Sequence, residues 1–133
     1  IHGFIKGWDI PKMRDSLKVS GWALNSEYFS SVMHMLRDDA SYRAIVDELV
    51  ECSEDAYVRH TEAGKRICTA FLKLLFPNVR TAAEVNKKEF IKYCLRPAIK
   101  MRRTIWRQLS ILDAEYKNED KLMPEFELRG VEE

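Results

Sequence analysis

The residues best suited to chemistry lie between Asn86 and Tyr116, in NKKEFIKYCLRPAIKMRRTIWRQLSILDAEY. Arg96, Lys100, Arg102, Arg103 and Arg107 set five cations along one short segment. A guanidinium presents a planar fork of N–H donors that matches phosphate or carboxylate oxygens, so these residue types point to an anion. Arg96 stands directly before Pro97, at an expected junction of two helices. There the second helix would offer free backbone N–H groups to the same anion. The alternative is a core helix with a solvated basic face. Other pairings are weaker. His34 and Asp38 have the spacing of a helix-surface contact, and His60 and Glu62 flank Thr61 in an expected loop. Asp38 and Asp39 could ligate a metal only with partners the sequence does not name, so no metal site is expected. Phosphate-loop, dinucleotide, zinc-protease and nucleophile-elbow motifs do not occur, so the chain shows no active site of its own.

The elements that must position these cations are helical. Asn86 with Glu89 three residues on makes a capping box, and Val85 and Phe90 occupy hydrophobic-staple positions. That helix should run to about Leu95, and Pro97 should kink it or open another. Ile99, Met101, Ile105, Trp106, Leu109 and Leu112 then recur near helical spacing, with Lys100, Arg102, Arg103 and Arg107 opposite. Upstream, Gly7 to Pro11 is a turn, and residues 11–20 hold at most a helical turn that Gly21 ends. A helix from about Asn25 to Arg37 should turn Phe29, Val32, Met33 and Leu36 inward. Ser41 to Glu51 reads as the next helix, with Ile45, Leu49 and either Val46 or Cys52 inward. Ser53 to His60 reads as a loop. Thr61 should cap a helix whose stripe is Ala63, Ile67, Ala70, Phe71, Leu74 and Leu75, closed by Pro77 and Asn78. Thr81 and Glu84 have capping-box spacing. Trp8 and Trp22 are expected as a packed collar. Residues 118–133 read as an extended tail.

The class is all-α, a bundle of about five to six helices with one short N-terminal strand at residues 1–5. A weak second strand lies near Glu125 to Leu128. One domain with a real core fits 133 residues, and the 46% apolar and 32% charged fractions are those of an ordinary globular chain. A net charge of +1 gives no global pull towards nucleic acid. No apolar run is long enough to span a membrane. Cys52, Cys68 and Cys94 are odd in number and widely spaced, which suits buried free thiols in a reducing cytoplasm. The chain begins in mid-pattern without Met and reads as a piece of something larger.

The string H-G-F-I-K-G-W-D-I-P-K-M-R at residues 2–14 resembles a signature of the Lon-related BrxL family of BREX phage-defence systems. So do S-G-W-A-L at 20–24, L-R-D-D-A-S-Y-R at 36–43, L-L-F-P-N at 74–78 and Y-C-L-R-P-A at 93–98. The family pattern has proline where Lys6 stands, a departure that bears on the local turn. The resemblance implies an AAA+ ATPase module followed by a Lon-like domain. Residues 1–10 would then end the ATPase core, 11–117 would form its helical lid, and 118–133 would lead to the Lon-like domain. It implies ATP and Mg2+ in the parent protein, own subunits in a ring, and DNA as a further partner, with no membrane. By position in the motif, Arg96 would be the sensor that reaches the γ-phosphate, with Arg102 as the second candidate. Arg14 would face a neighbouring subunit, and Lys100, Arg103 and Arg107 would be the nucleic-acid candidates. The alternatives are a DNA-binding or DNA-translocating ATPase module and a non-catalytic helical interaction domain.

Overall fold

The computed structural model describes residues 2–53, 57–117 and 125–130. These residues are mostly helical, with a small two-stranded sheet. They divide into two compact units, one formed by residues 5–39 and the other by residues 2–4 together with the chain from Ala40 onward.

Residues 5–39 hold two 3-10 turns, Gly7–Asp9 and Asp15–Leu17, and one helix, α1 (Ser26–Leu36). Asn25 starts α1 as expected, its Oδ1 accepting from the N–H groups of Glu27 at 2.9 Å and Tyr28 at 3.1 Å. Gly21 breaks the preceding turn at φ +110°, a conformation open to glycine. The expected inner face of α1 buries nothing fully. The expected Trp8–Trp22 collar is also overturned, since the two indoles are 78% and 104% exposed. One helix and two turns supply no second layer to pack against.

In the other unit, α2 (Ser41–Leu49) ends earlier than the sequence suggests, because Val50 turns extended at φ −107°, ψ 119°. Strand β1 (Val50–Cys52) comes next and pairs antiparallel with β2 (Phe126–Leu128), with Glu51 opposite Glu127. Cys52 therefore belongs to a strand, and the sheet sits away from the N-terminus. Residues 2–5 form no strand, and Ile1 lies outside the described residues. The weak strand near Glu125 is real, and it lies within the residues expected to be a tail. Its missing partner was hidden at the end of a helical pattern.

Helix α3 (Val58–Leu75) begins before Thr61, which does not cap it; its Oγ1 donates to the Val58 carbonyl at 3.0 Å. The expected loop to His60 is thus partly helix. Its buried face is His60, Ala63, Gly64, Cys68, Thr69 and Leu72, while Ala70, Leu74 and Leu75 are exposed. The helix is rotated from the expected stripe because packing selects the small Gly64. A Cβ there would stand 2.5 Å from Cζ of Phe126, so the absent side chain is what lets β2 seat its ring on α3. The Tyr42 hydroxyl donates to the Pro77 carbonyl at 2.6 Å and ties α2 to the turn that ends α3.

Thr81 makes no side-chain cap, and Ala82–Glu84 is a 3-10 turn held by Glu84 Oε2 accepting from the Arg80 N–H at 2.9 Å. Asn86 does cap, its Oδ1 taking the N–H groups of Lys88 and Glu89 at 3.1 and 3.2 Å. The staple positions Val85 and Phe90 are both buried. From Lys87 the chain forms a single rod: α4 (Lys87–Phe90), a π-helical turn at Ile91–Leu95, and α5 (Arg96–Leu112). The wider π turn carries the helix into Pro97 without a break, where the missing N–H would otherwise leave a gap. The core gathers Tyr42, Val46, Leu72, Phe90, Cys94 and Ala98. All three cysteines are free, Cys68 and Cys94 buried and Cys52 half-buried.

Candidate functional site

The Arg96–Pro97 junction is not an open helix end. Arg96 has helical dihedrals, and its N–H bonds to the Ile91 carbonyl. The expected cradle of free N–H groups is therefore absent there, and any grip on an anion falls to side chains. Arg96, Lys100, Arg103 and Arg107 are all exposed. Their spacing of four, three and four residues sets them on one face of α5. The helix thus offers a solvated basic stripe, headed by Arg96.

Arg102 does not belong to that stripe, although the sequence pattern places it there. It lies on the opposite side with Ala98, turned inward, and is 2% exposed. Its Nε donates to Nδ1 of His60 on α3 at 3.0 Å, and one terminal nitrogen reaches the His2 carbonyl at 3.4 Å. His60 is 1% exposed, packs edge-on to Tyr116 with ring centroids 6.0 Å apart, and is held neutral. Burial, with Arg102 and Arg59 beside it, drives its pKa down to about 4. Because Nδ1 accepts, the ring proton of the neutral imidazole sits on Nε2. Burial and Arg59 also lower the pKa of Arg102 from its usual value. Nothing in the spacing of the sequence signals this pair, which is separated by 42 residues. The one available signal is generic: an arginine turned inward must find acceptors.

A second charged cluster joins α2 to α3. Arg43 donates Nε to Asp47 at 2.7 Å and its terminal nitrogens to both Glu62 oxygens at 2.8 and 3.2 Å. Lys65 donates to the other Asp47 oxygen at 2.9 Å. The Arg43 hydrogen bond holds Glu62 below the usual carboxylate range. For Asp47, burial pushes upward, but the bonds from Arg43 and Lys65 outweigh it and the net shift is down. Beside this cluster a cleft of about 640 Å³ is lined by Glu51, Cys52, Ser53, Thr61, Lys65 and Arg129 among others. Its charges are already matched, Arg129 to Glu51 at 2.6 Å and Lys65 to Asp47. Glu62 is thus an ion-pair partner on a helix, not part of a His60–Glu62 loop.

Burial pushes the Cys94 thiol up to about 12, and Cys68 rises as well, so neither is a nucleophile at neutral pH. Arg14 is exposed within residues 5–39. His34 and Asp38 are exposed too. No helix among the described residues is long and apolar enough to cross a membrane.

Comparison with known proteins gives this geometry a family. The model of the Lon-like protease BrxL-like ATPase domain matches residues 1–122. Among the curated relatives, the Lon-like protease BrxL of Escherichia coli O9:H4 (strain HS) is 29% identical over 111 residues, which is 84% of this chain and 15% of that protein. The Lon-like protease BrxL of Bacillus cereus (strain H3081.97) is 26% identical over 95 residues, 71% of this chain and 14% of that protein. The chain therefore spans about one-seventh of the length of these relatives. On a match that covers most of its length, the chain belongs to the Lon-like BrxL family and lies within the ATPase domain of that family.

Proposed function

We propose that this chain is the helical lid of an AAA+ ATPase that uses ATP and Mg2+ to drive a ring-shaped, cytoplasmic phage-defence machine. In this reading Arg96 is the sensor that meets the γ-phosphate. The observation that carries it is the division of labour between two arginines. Arg102 is committed inside the fold to His60, whereas the Arg96 side chain is exposed at the head of the basic stripe, one turn from Lys100. Such a pair fits the phosphate end of a nucleotide, where Arg96 would donate two parallel bonds and Lys100 a point charge. Bound ATP would supply the phosphoryl group whose hydrolysis drives the motion. This chain would supply cations that sense whether the group is present. Arg14, exposed on a different segment, is the candidate contact to a neighbouring subunit.

The stripe favours a second reading. Lys100, Arg103 and Arg107 continue along the same face and suit the spaced charges of a nucleic-acid backbone, so DNA movement is the alternative work of the machine. The test is ATP turnover by the full-length parent at saturating nucleotide. Arg96→Ala is expected to cut turnover at least tenfold with assembly intact. Unchanged turnover rejects Arg96 as the sensor. An inactive wild type, with or without DNA, favours a non-catalytic interaction domain.

A further inference from the structure

Residues 125–130, E-F-E-L-R-G, meet the rest of their unit in the way a bound peptide meets its receptor. Their backbone adds to an edge of β1. The Arg129 N–H donates to the Leu49 carbonyl at 2.9 Å, and at the other end the Ser53 N–H donates to the Glu125 carbonyl at 3.2 Å. Between these bonds Phe126, Glu127 and Leu128 pair with Cys52, Glu51 and Val50. Edge addition of this kind accepts any extended backbone, and pockets for alternate side chains supply the selection. Here the Phe126 ring occupies a notch that exists because residue 64 is glycine, since a Cβ there would stand 2.5 Å from Cζ. Leu128, 8% exposed, is the next side chain on the same face of the strand. On the other face Arg129 pairs with Glu51 at 2.6 Å. Lys87, at the start of the rod, donates to the carbonyls of Arg129 and Gly130 at 3.1 and 3.5 Å. Gly130 has φ +70°, so the turn that offers those carbonyls favours glycine.

Two further observations mark the segment as a replaceable occupant. The family match covers residues 1–122, so the receptor surface lies within the matched ATPase domain and its occupant lies beyond it. Glu127 also stands directly opposite Glu51, a like-charge pair that weakens the ladder. We propose that β1, the Gly64 notch and Lys87 form a docking site for an extended peptide of the pattern Phe-x-Leu-Arg-Gly, with residues 125–130 as its tethered ligand. Tethering fills the site at an effective concentration of about millimolar. A free peptide is therefore shut out unless it binds better or the tethered ligand is weakened. The x position faces Glu51, so it favours an uncharged or basic side chain over the glutamate that the chain itself supplies. The site is independent of Arg96 and of the basic stripe.

Binding of the capped synthetic peptide E-F-E-L-R-G to the 133-residue chain tests it, read from the NMR shifts of the amides of residues 50–53. Phe126→Ala empties the notch. That variant is expected to bind the peptide with a Kd below about 1 mM, at least about tenfold tighter than the wild-type chain does. Adding Gly64→Ala to Phe126→Ala should not lower the melting temperature, because the ring that the methyl would meet is gone. It should weaken the peptide at least about tenfold, because the methyl meets the peptide's own phenylalanine. A peptide with the Glu127→Thr change should bind about two- to fivefold tighter than the natural sequence. Arg129→Glu weakens the tethered ligand by a second route, a further like charge against Glu51, and is expected to open the site in the same way. Variants that stay helical and bind no peptide at millimolar concentration would overturn the proposal. So would equal binding by the wild-type chain, or binding that survives Gly64→Ala, since the peptide would then sit elsewhere. Loss of the helical circular dichroism in both Phe126→Ala and Arg129→Glu would overturn it too, by making residues 125–130 part of the core.

Discussion

Arg102 and His60 show how much one hydrogen bond can fix. The imidazole must stay neutral to accept from the guanidinium, and its pKa near 4 in the fold compares with 6.5 when unperturbed. Between those values the unfolded chain binds the extra proton, so stability is complete above pH 6.5 and falls as the pH drops to about 4. The loss reaches at most ~3 kcal/mol. Denaturant titrations across that range should show the slope, and His60→Asn, whose Oδ1 can still accept, should flatten it. His60→Leu should cost ~1–3 kcal/mol at neutral pH by removing a buried acceptor. Gly64 makes a steric case of the same kind. Gly64→Ala should lower stability by ~1–2 kcal/mol in thermal melts despite the better helix propensity of alanine, because the methyl meets the Phe126 ring. Phe126→Leu in the same chain should recover part of the loss. Local residue chemistry was legible in advance: Asn25, Gly21 and Asn86 act within four residues of themselves. Arg102 was not, since its acceptors come from distant parts of the chain.

The rod from Lys87 to Leu112 was legible as to its start and its proline, and illegible as to its continuity. Sequence rules treat Pro97 as a stop or a kink, whereas one π turn absorbs it. That turn removes the free N–H groups and shifts the whole anion question onto the exposed stripe. If the stripe meets DNA in the parent, Lys100→Ala and Arg103→Ala should each reduce the salt slope of binding by about one. A double variant with an unchanged slope would take the stripe out of DNA contact. β1 is not legible in the sequence because its Val50-Glu51-Cys52 run continues a helical pattern, and only pairing with β2 makes it a strand. The α2–α3 ion pairs were likewise invisible, since Arg43 and Glu62 lie 19 residues apart. Arg43→Ala should cost ~1 kcal/mol at low salt and less at high salt, given side chains that are part exposed.

At the scale of the whole molecule, one unit has a core and the other does not. The helical class was readable from the sequence pattern, while the lack of a core among the elements of residues 5–39 is a matter of packing that no local pattern reports. The family match places both within the Lon-like BrxL-like ATPase domain family, and the exposed Arg96 gives the proposed lid reading its chemical content. The most direct measurement is equilibrium binding of ADP and of a non-hydrolysable ATP analogue to the full-length parent, with and without Arg96→Ala. A sensor that touches only the γ-phosphate should lose ~10–100-fold in affinity for the analogue, one charged hydrogen-bonded contact, and leave ADP binding unchanged. Equal affinities of wild type and variant for the analogue would contradict the account, as would an equal loss for both nucleotides.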